Sequence, residues 1–451
     1  MECVQEYINL FESNKALIDK PCTRKLNEER EKAFVRFRAE GFPKLKDENW
    51  LHTNVAKKFE TDYGIDLGRK AGANCVKGSF TCDVPNLKTV RGYIVNDCFT
   101  IAEEDRNKLP KGVLIGKINE IAESNPEIND CFYNQLASKG DSIVQFNTSF
   151  VQDGIILYVP KNTVIDETIQ IVAQLQTNVD ILTNRRLLVV MEENSYASLL
   201  LCDHSSTDKK SLSIEVTEIF IGRGASLDLY ELEETTESNT RLGNLFVNQK
   251  HDSRFNHCNI TLTNGFTRNY IEVTLDGEGA DTNINGLAIG DKKQHIDNRT
   301  LVEHKKGHCT SNELYKYILD EESIGVFAGK MLICTDAQQT VSQQTNRNLC
   351  LTSCARMYAQ PQLEIYADDV KCSHGATIGQ LNADALFYLR TRCISERSAK
   401  MLLMYAFCED VLSKSDIEEL KESLGDLIKK RLQGELTACG NCVFQCSKPC
   451  K

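Results

Sequence analysis

The sequence predicts a mainly β protein: a parallel β-helix core flanked by N-terminal and C-terminal α-helical domains. Three observations carry that reading. Short alternating runs such as "GIILYVP", "TIQIVAQ", "LSIEVTEIFIG" and "LDLYELEE" have the period-two pattern of strands. The stretches that punctuate them are "ENSYASLLL", "GRGASLDLY", "DSRFNHCNITL", "GEGADTNINGLAI" and "KGHCTSNELYKYIL". Aligned on Ala197, Ala225, Phe255, Ala280 and Cys309, they recur every 25 to 30 residues. Both ends of the chain switch to helical periodicity. A fixed period of this size, made of strands and turns, marks a solenoid, and two or three short strands per coil make it a β-helix. A β-sandwich also uses short alternating strands, but it has no reason to repeat so regularly.

The expected organisation is a mainly helical domain over 1–140, the β-helix over 141–383, a helical domain over 384–434 and a cysteine-rich tail over 435–451. In "VQEYINLFESNKALI", Val4, Tyr7, Ile8 and Phe11 share one stripe of a helix. "LNEEREKAFVRFRAEGFPKL" repeats the pattern and stops at Gly41, with Pro43 just beyond. Around "NCVKGSFTCDVPNLKTVRGYIV" the period shortens toward two, which suggests a small strand insertion. The paired glycines of "GRGAS" and "GEGAD" read as solenoid turns. After the β-helix, Ser395 is placed to cap a helix through "RSAKMLLMYAFCEDVL". Ser415 followed by Glu418 forms a capping-box pattern for a second helix. Its apolar residues Ile417, Leu420, Leu424, Leu427 and Leu432 line one face, and Gly434 closes it. Two helices this small cannot bury that face alone, so they pack on the solenoid end or on another protein.

Composition excludes several classes. A net charge of −11 argues against a nucleic-acid binder, which presents a basic face. No run approaches the twenty or so apolar residues that span a bilayer. The opening "MECVQEYINLFESNK" lacks the basic start and apolar run of a secretory signal, so a cytoplasmic location is expected. The 19 cysteines are then reduced, most of them small buried hydrophobes such as Cys202 in "SLLLCDH".

Catalytic signatures are missing. There is no G-x-x-x-x-G-K-[ST], no complete dinucleotide fingerprint, no H-E-x-x-H and no G-x-S-x-G. The adjacent pairs His257/Cys258, His308/Cys309 and Glu303/His304 point to opposite faces of a strand, one residue inside the coil and one outside. A catalytic β-helix acting on polysaccharide would need paired carboxylates in a groove, and the acids here are scattered through turns. The chain is not expected to be an enzyme.

Two cysteine-bearing stretches stand out. In "LEIYADDVKCSHGATIGQL", Cys372 and His374 lie two apart on a strand and so share a face, where a thiolate and an imidazole can ligate a soft metal, build a nucleophile or pack. The tail "CGNCVFQCSKPCK" holds Cys439, Cys442, Cys446 and Cys450, dense enough to bind zinc or an iron–sulfur cluster. A flexible reduced tail is the competing reading, and a metal- or cluster-binding carrier is the functional alternative it supports.

Taken together, "RFRAEGFPKLKDENWLHTN", the long block "DAQQTVSQQTNRNLCLTSCARMYAQPQLEIYADDVKCSHGATIGQLNADALFYLRTRCIS" and "AKMLLMYAF" resemble the SufD family of the SUF iron–sulfur cluster assembly machinery. The "CSHGATIGQ" strand matches the SufD rather than the SufB branch. The resemblance extends to about residue 434 and implies a right-handed β-helix between two helical domains. It implies a non-catalytic scaffold subunit in a complex of a SufB-like paralogue and a SufC-like ABC ATPase, with homodimerisation possible in isolation. The ATPase would dock on "LFYLRTRCISERSAKMLLMYAF", through residues such as Phe387, Tyr388, Arg390, Arg392, Leu402 and Phe407. The resemblance places Cys372 and His374 at the SufB interface, where iron enters or a nascent cluster is held transiently; no stably bound cofactor is expected there. Asp368 and Asp369 are either an entry point for Fe²⁺ or a solvated turn. Cys393 stands where the family often has glycine, and Cys350 and Cys354 add thiols near the last coils. The tail lies past the usual family end and inherits no function from it.

Overall fold

The computed structural model describes residues 2–67, 84–205, 207 and 209–434. Two parallel sheets face each other and the chain alternates between them, one strand per sheet in each coil. One sheet runs by steps of two strands from Ile155–Val159 to Arg356–Ile365, the other from Thr168–Leu175 to Val370–Gly379. The coil therefore has two long strands. The strand Thr89–Val95 pairs in parallel with Thr168–Leu175 and antiparallel with Cys98–Ile101. What reads in the sequence as a strand insertion is thus built into the solenoid wall.

Alternation along each strand fills the lumen. Leu187, Val189 and Met191, Leu227 and Leu229, Leu245 and Val247, Ile271, Val273 and Leu275 all join one buried cluster running down the axis. Burying such a side chain is worth roughly 1.5–3 kcal/mol, so this column is the main source of stability. The coil turns on a repeated corner. Asn162, Asn194, Gly224, Asp252, Gly279, His308 and Gln339 all have φ between +55° and +72°. Asn194, Gly224 and Asp252 occupy matching places in successive coils. The residues drawn to this corner are those that tolerate left-handed backbone, which explains the glycines of "GRGAS" and "GEGAD".

The repeat period is as the sequence indicates, but its phase is not uniform. Register pairs Leu227 with both Ala197 and Phe255, while Ala225, Ala280 and Cys309 lie two residues earlier in their coils. A shift of two leaves every side chain on its face, so hydrophobic pattern alone cannot detect it.

The lumen is not apolar throughout. In its earlier coils Arg185 reaches Asp203 at 2.5 Å and Glu215 at 2.9 Å. Arg241 reaches Asp203 at 3.0 Å, Glu215 at 2.8 Å and Glu231 at 3.3 Å. His257 Nε2 lies 2.8 Å from Glu231. Beside this network, burial pushes Glu233 up to about 7, although Arg241 pulls it down.

Helices cover the outer walls. Glu2–Asp19 and Arg24–Glu40 bury Tyr7, Phe11, Phe34 and Phe37 against Leu182, Leu212, Leu242 and Phe266 of the first sheet. Gly41 ends the second helix at φ +66°. The segment after it is latched to the same wall: the Arg268 guanidinium lies 3.7 Å over Trp50, and Arg299 Nη2 donates to the Leu51 carbonyl at 2.6 Å.

The C-terminal helices Glu396–Leu412 and Glu418–Gln433 lie along the other sheet, not on the solenoid end. Cys408, Val411, Leu420, Leu424, Leu427 and Ile428 pack on Leu232, Cys258, Ile260 and Leu287. Lys316, almost fully buried, donates to the Phe407 carbonyl at 2.7 Å and to Asp410 at 2.5 Å. Arg431 donates to the Leu262 carbonyl and Asp291, both at 2.7 Å. Ser395 caps the first of these helices through the Ser398 amide. The capping box of the second does not form: Ile417 is the N-cap, and Ser415 accepts from the Ile417 amide at 3.3 Å, closing a turn before the helix. Gly434 ends that helix in the left-handed conformation.

Candidate functional site

The site is built where the stack of coils stops. Val370–Gly379 pairs along one edge with Thr340–Cys350, and its other edge is unpaired among the described residues. A free ten-residue edge is a template for another strand. Register sets Cys372 beside Ser342 and His374 beside Gln344. Ser342 and Gln344 are buried lumen residues, so Cys372 and His374 share the inward face of the wall. They point toward the open end of the lumen rather than to the outside.

Their surroundings differ. Cys372 is half-buried against the corner formed by Ile333, Ala337 and Ala367, and this burial raises its thiol pKa while the Ser342 backbone opposes the rise. The thiol stays protonated near neutral pH, so a soft metal binding it displaces a proton. His374 is exposed. Asp368 and Asp369 sit exposed in the turn before the strand, where the Asp369 amide donates to Gln338 Oε1 at 2.9 Å.

Beneath the pair lies a polar floor that the sequence reading missed. Ser342 and Ser311 hydroxyls are 2.8 Å apart, and Ser311 is 2.8 Å from His304 Nε2. Burial pushes His304 down to about 4, so it is neutral. On the neighbouring column, Gln344 Nε2 donates to Glu313 Oε2 at 2.7 Å. Burial raises Glu313 to about 7, held back by the hydrogen bond from Gln344. A signal for this floor was present. In "TVSQQTNRNLC" the buried positions are Thr340, Ser342, Gln344, Asn346 and Asn348, while Val341 is exposed. The alternation is inverted: polar residues face inward in the coil just below Cys372 and His374.

The helical surface next to this end is uncovered among the described residues. Phe387 is 70% and Tyr388 57% exposed, with Leu402 also exposed. Arg392 stacks on Tyr388 at 5.1 Å, and Arg390 lies 3.5 Å from Glu396. Phe407 differs from these five. It packs toward the solenoid, its ring 4.4 Å from Lys316 Nζ. Cys393 has φ +63°, a left-handed turn position of the kind that favours glycine. Cys354 is exposed and Cys350 partly buried.

Cys439, Cys442, Cys446 and Cys450 lie outside the described residues. Among the described residues no three His, Cys, Asp or Glu side chains converge as a metal-binding group. Cys372 and His374 supply two donors, half of a tetrahedral set. Among these residues no helix is long and apolar enough to cross a membrane.

Comparison with known proteins gives a consistent result. Residues 174–407 match the family described as "SUF system FeS cluster assembly, SufBD core domain". Residues 1–171 match the "SufBD protein N-terminal region". The chain is 28% identical over 411 residues to an iron–sulfur cluster assembly SufBD family protein of Synechocystis, covering 89% of this chain and 87% of that protein. It is 40% identical over 167 residues to the iron–sulfur cluster assembly protein SufD of Escherichia coli, covering 37% of this chain and 40% of that protein. With SufD of Bacillus subtilis the identity is 24% over 331 residues, 72% of this chain and 75% of that protein.

Proposed function

The chain belongs to the SufBD family of the SUF iron–sulfur cluster assembly system, and from that premise we propose that it is a SufD-type, non-catalytic scaffold subunit working with a SufB-like paralogue and a SufC-like ABC ATPase. The observation that carries this reading is the placement of Cys372 and His374 on the inward face of a terminal strand whose other edge is free among the described residues. Two donors at an unfinished end make a half-site, and a paralogous solenoid meeting this edge would supply the remaining ligands and close the lumen. Iron and the nascent cluster are cargo here. A thiol suits both iron and sulfide, and imidazole suits iron.

The ATPase contact falls on the exposed apolar and basic surface of Phe387, Tyr388, Arg390, Arg392 and Leu402, while Phe407 supports that surface from behind. Nucleotide-driven movement of the ATPase subunits would act through the helices that Lys316 and Arg431 tie to the solenoid wall, and so reach the interface.

Co-expression of this chain with its SufB-like and SufC-like partners tests the reading. Wild type is compared with Cys372→Ala and His374→Ala, and complex formation and cluster content are scored together. The expected result is an assembled complex with little cluster. A complex that falls apart makes the pair interface packing; full cluster in an intact mutant complex removes them from the chemistry.

A further inference from the structure

Gln344 is 1% exposed, yet its Oε1 has no hydrogen-bond partner among the described residues. Buried amide oxygens are rarely left so, and each such case asks for an explanation. Its orientation is set from below: Nε2 donates to the Glu313 carboxylate at 2.7 Å, which turns Oε1 to the other side. The opposite wall is shaped to let this amide in, since a Cβ on Gly329 would come within 2.1 Å of Gln344 Nε2. The next residue in register on the same face is His374. One strand spacing, about 4.8 Å, separates the two backbones.

We propose that Gln344, anchored by Glu313, is the positioning residue for His374. When the interface closes over the last coil, one imidazole N–H donates to Gln344 Oε1. That hydrogen bond fixes the tautomer and ring orientation, and leaves the lone pair of the other ring nitrogen facing the metal. Ligand histidines characteristically use their second nitrogen in this way, usually on a carboxylate or a carbonyl. An amide backed by a carboxylate gives a carbonyl acceptor whose direction is settled by the acid behind it. The inference rests on the reading of His374 as an iron ligand and adds two residues to it.

The test uses the purified three-component complex and anaerobic Fe²⁺ titration against a competing chelator, with assembly and thermal stability measured on the same samples. Gln344→Met keeps the volume and removes the acceptor. It is expected to weaken Fe²⁺ binding by about 10- to 100-fold, with the complex still assembled. Exchanging the pair, Gln344→Glu with Glu313→Gln, keeps both the internal hydrogen bond and an acceptor under His374, and is expected to restore binding.

If Gln344→Met does not fold, Glu313→Gln alone decides. It preserves shape but frees the amide to turn over, and a several-fold loss of Fe²⁺ affinity is expected; unchanged affinity overturns the proposal. Loss of stability with unchanged affinity in the assembled fraction also overturns it, by making Gln344 merely structural. His374→Ala separates the two levels. If it weakens Fe²⁺ binding while Gln344→Met does not, the positioning role is wrong and the site stands. If His374→Ala leaves binding intact, the site reading fails and takes this inference with it.

Discussion

The lumen carries polar groups at two places, and they are handled in opposite ways. In the earlier coils Arg185, Arg241 and His257 are each matched to carboxylates at 2.5–3.3 Å, in a network with further coils stacked on both sides of it. In the last coils Ser342, Gln344 and Glu313 form a floor whose upper neighbours are the half-buried Cys372 and exposed His374. The first arrangement pairs its charges within the stack, although Arg185 Nη2 and His257 Nδ1 have no hydrogen-bond partner among the described residues. The second leaves an acceptor open and stops at a free strand edge. Buried polarity is costly in both, and the difference is position: the first network lies inside the stack and the second at its last coil.

Substitutions sharpen that contrast, beginning with the largest effect. Arg241→Met leaves the buried acids Asp203, Glu215 and Glu231 with only Arg185 and His257 to answer them. It should cost about 3–5 kcal/mol in denaturant unfolding, as breaking a buried ion network does. Lys316→Met removes the amine that holds the Phe407 carbonyl and Asp410, and should cost about 1–2 kcal/mol. Faster hydrogen exchange in Glu396–Leu412 would locate that loss. His374→Ala should change stability by less than about 0.5 kcal/mol, because the residue is exposed, while reducing cluster content in the complex. If Arg241→Met proved mild and His374→Ala severe in stability, the contrast would be reversed.

The pH dependence of unfolding separates the two places further. Burial raises Glu313 to about 7 from an ordinary value of 4.5. Between those values the folded state holds a proton that the unfolded state has lost, so stability falls as pH rises from about 4.5 to 7. Glu231 is lowered to about 2, against the cost of burial, by His257 and Arg241. Its contribution is present above about 4.5 and is lost as pH falls toward 2. Thermal scans from pH 3 to 8 should show both slopes. Glu313→Gln should reduce the upper one, leaving the share contributed by Glu233, which burial also raises to about 7, and should leave the lower one in place.

The periodic features were legible in the sequence because they rest on local rules. Gly41 and Gly434 end helices where a left-handed residue is wanted, and Ser395 caps because its hydroxyl reaches an amide three residues on. Cys372 and His374 were legible as a shared face by spacing alone. What the sequence concealed depends on neighbours far along the chain. Thr89–Val95 looked like an insertion because its partner is Thr168–Leu175, over seventy residues away. The Ser415 cap gave way because Asp416 is drawn to the Tyr230 hydroxyl at 3.2 Å, which fixes the approach to the helix. Phe407 read as docking surface because helical period cannot say that Lys316 lies beneath it. The polar floor was hidden by an assumption, that buried positions are apolar. "TVSQQTNRNLC" contradicts it openly once the register is known.

The terminal strand has a consequence for motion. In a stack of coils each layer is held by the one below and the one above, and opening free energy accumulates from both. Among the described residues Val370–Gly379 has a neighbour on one side only, and most of its residues are exposed. By that rule it is the layer of the stack expected to open first, which hydrogen exchange along Val370–Gly379 would show. On the function proposed above, a second solenoid meeting that edge would supply a further layer, so the act of joining would also still the strand that carries the thiol and the imidazole.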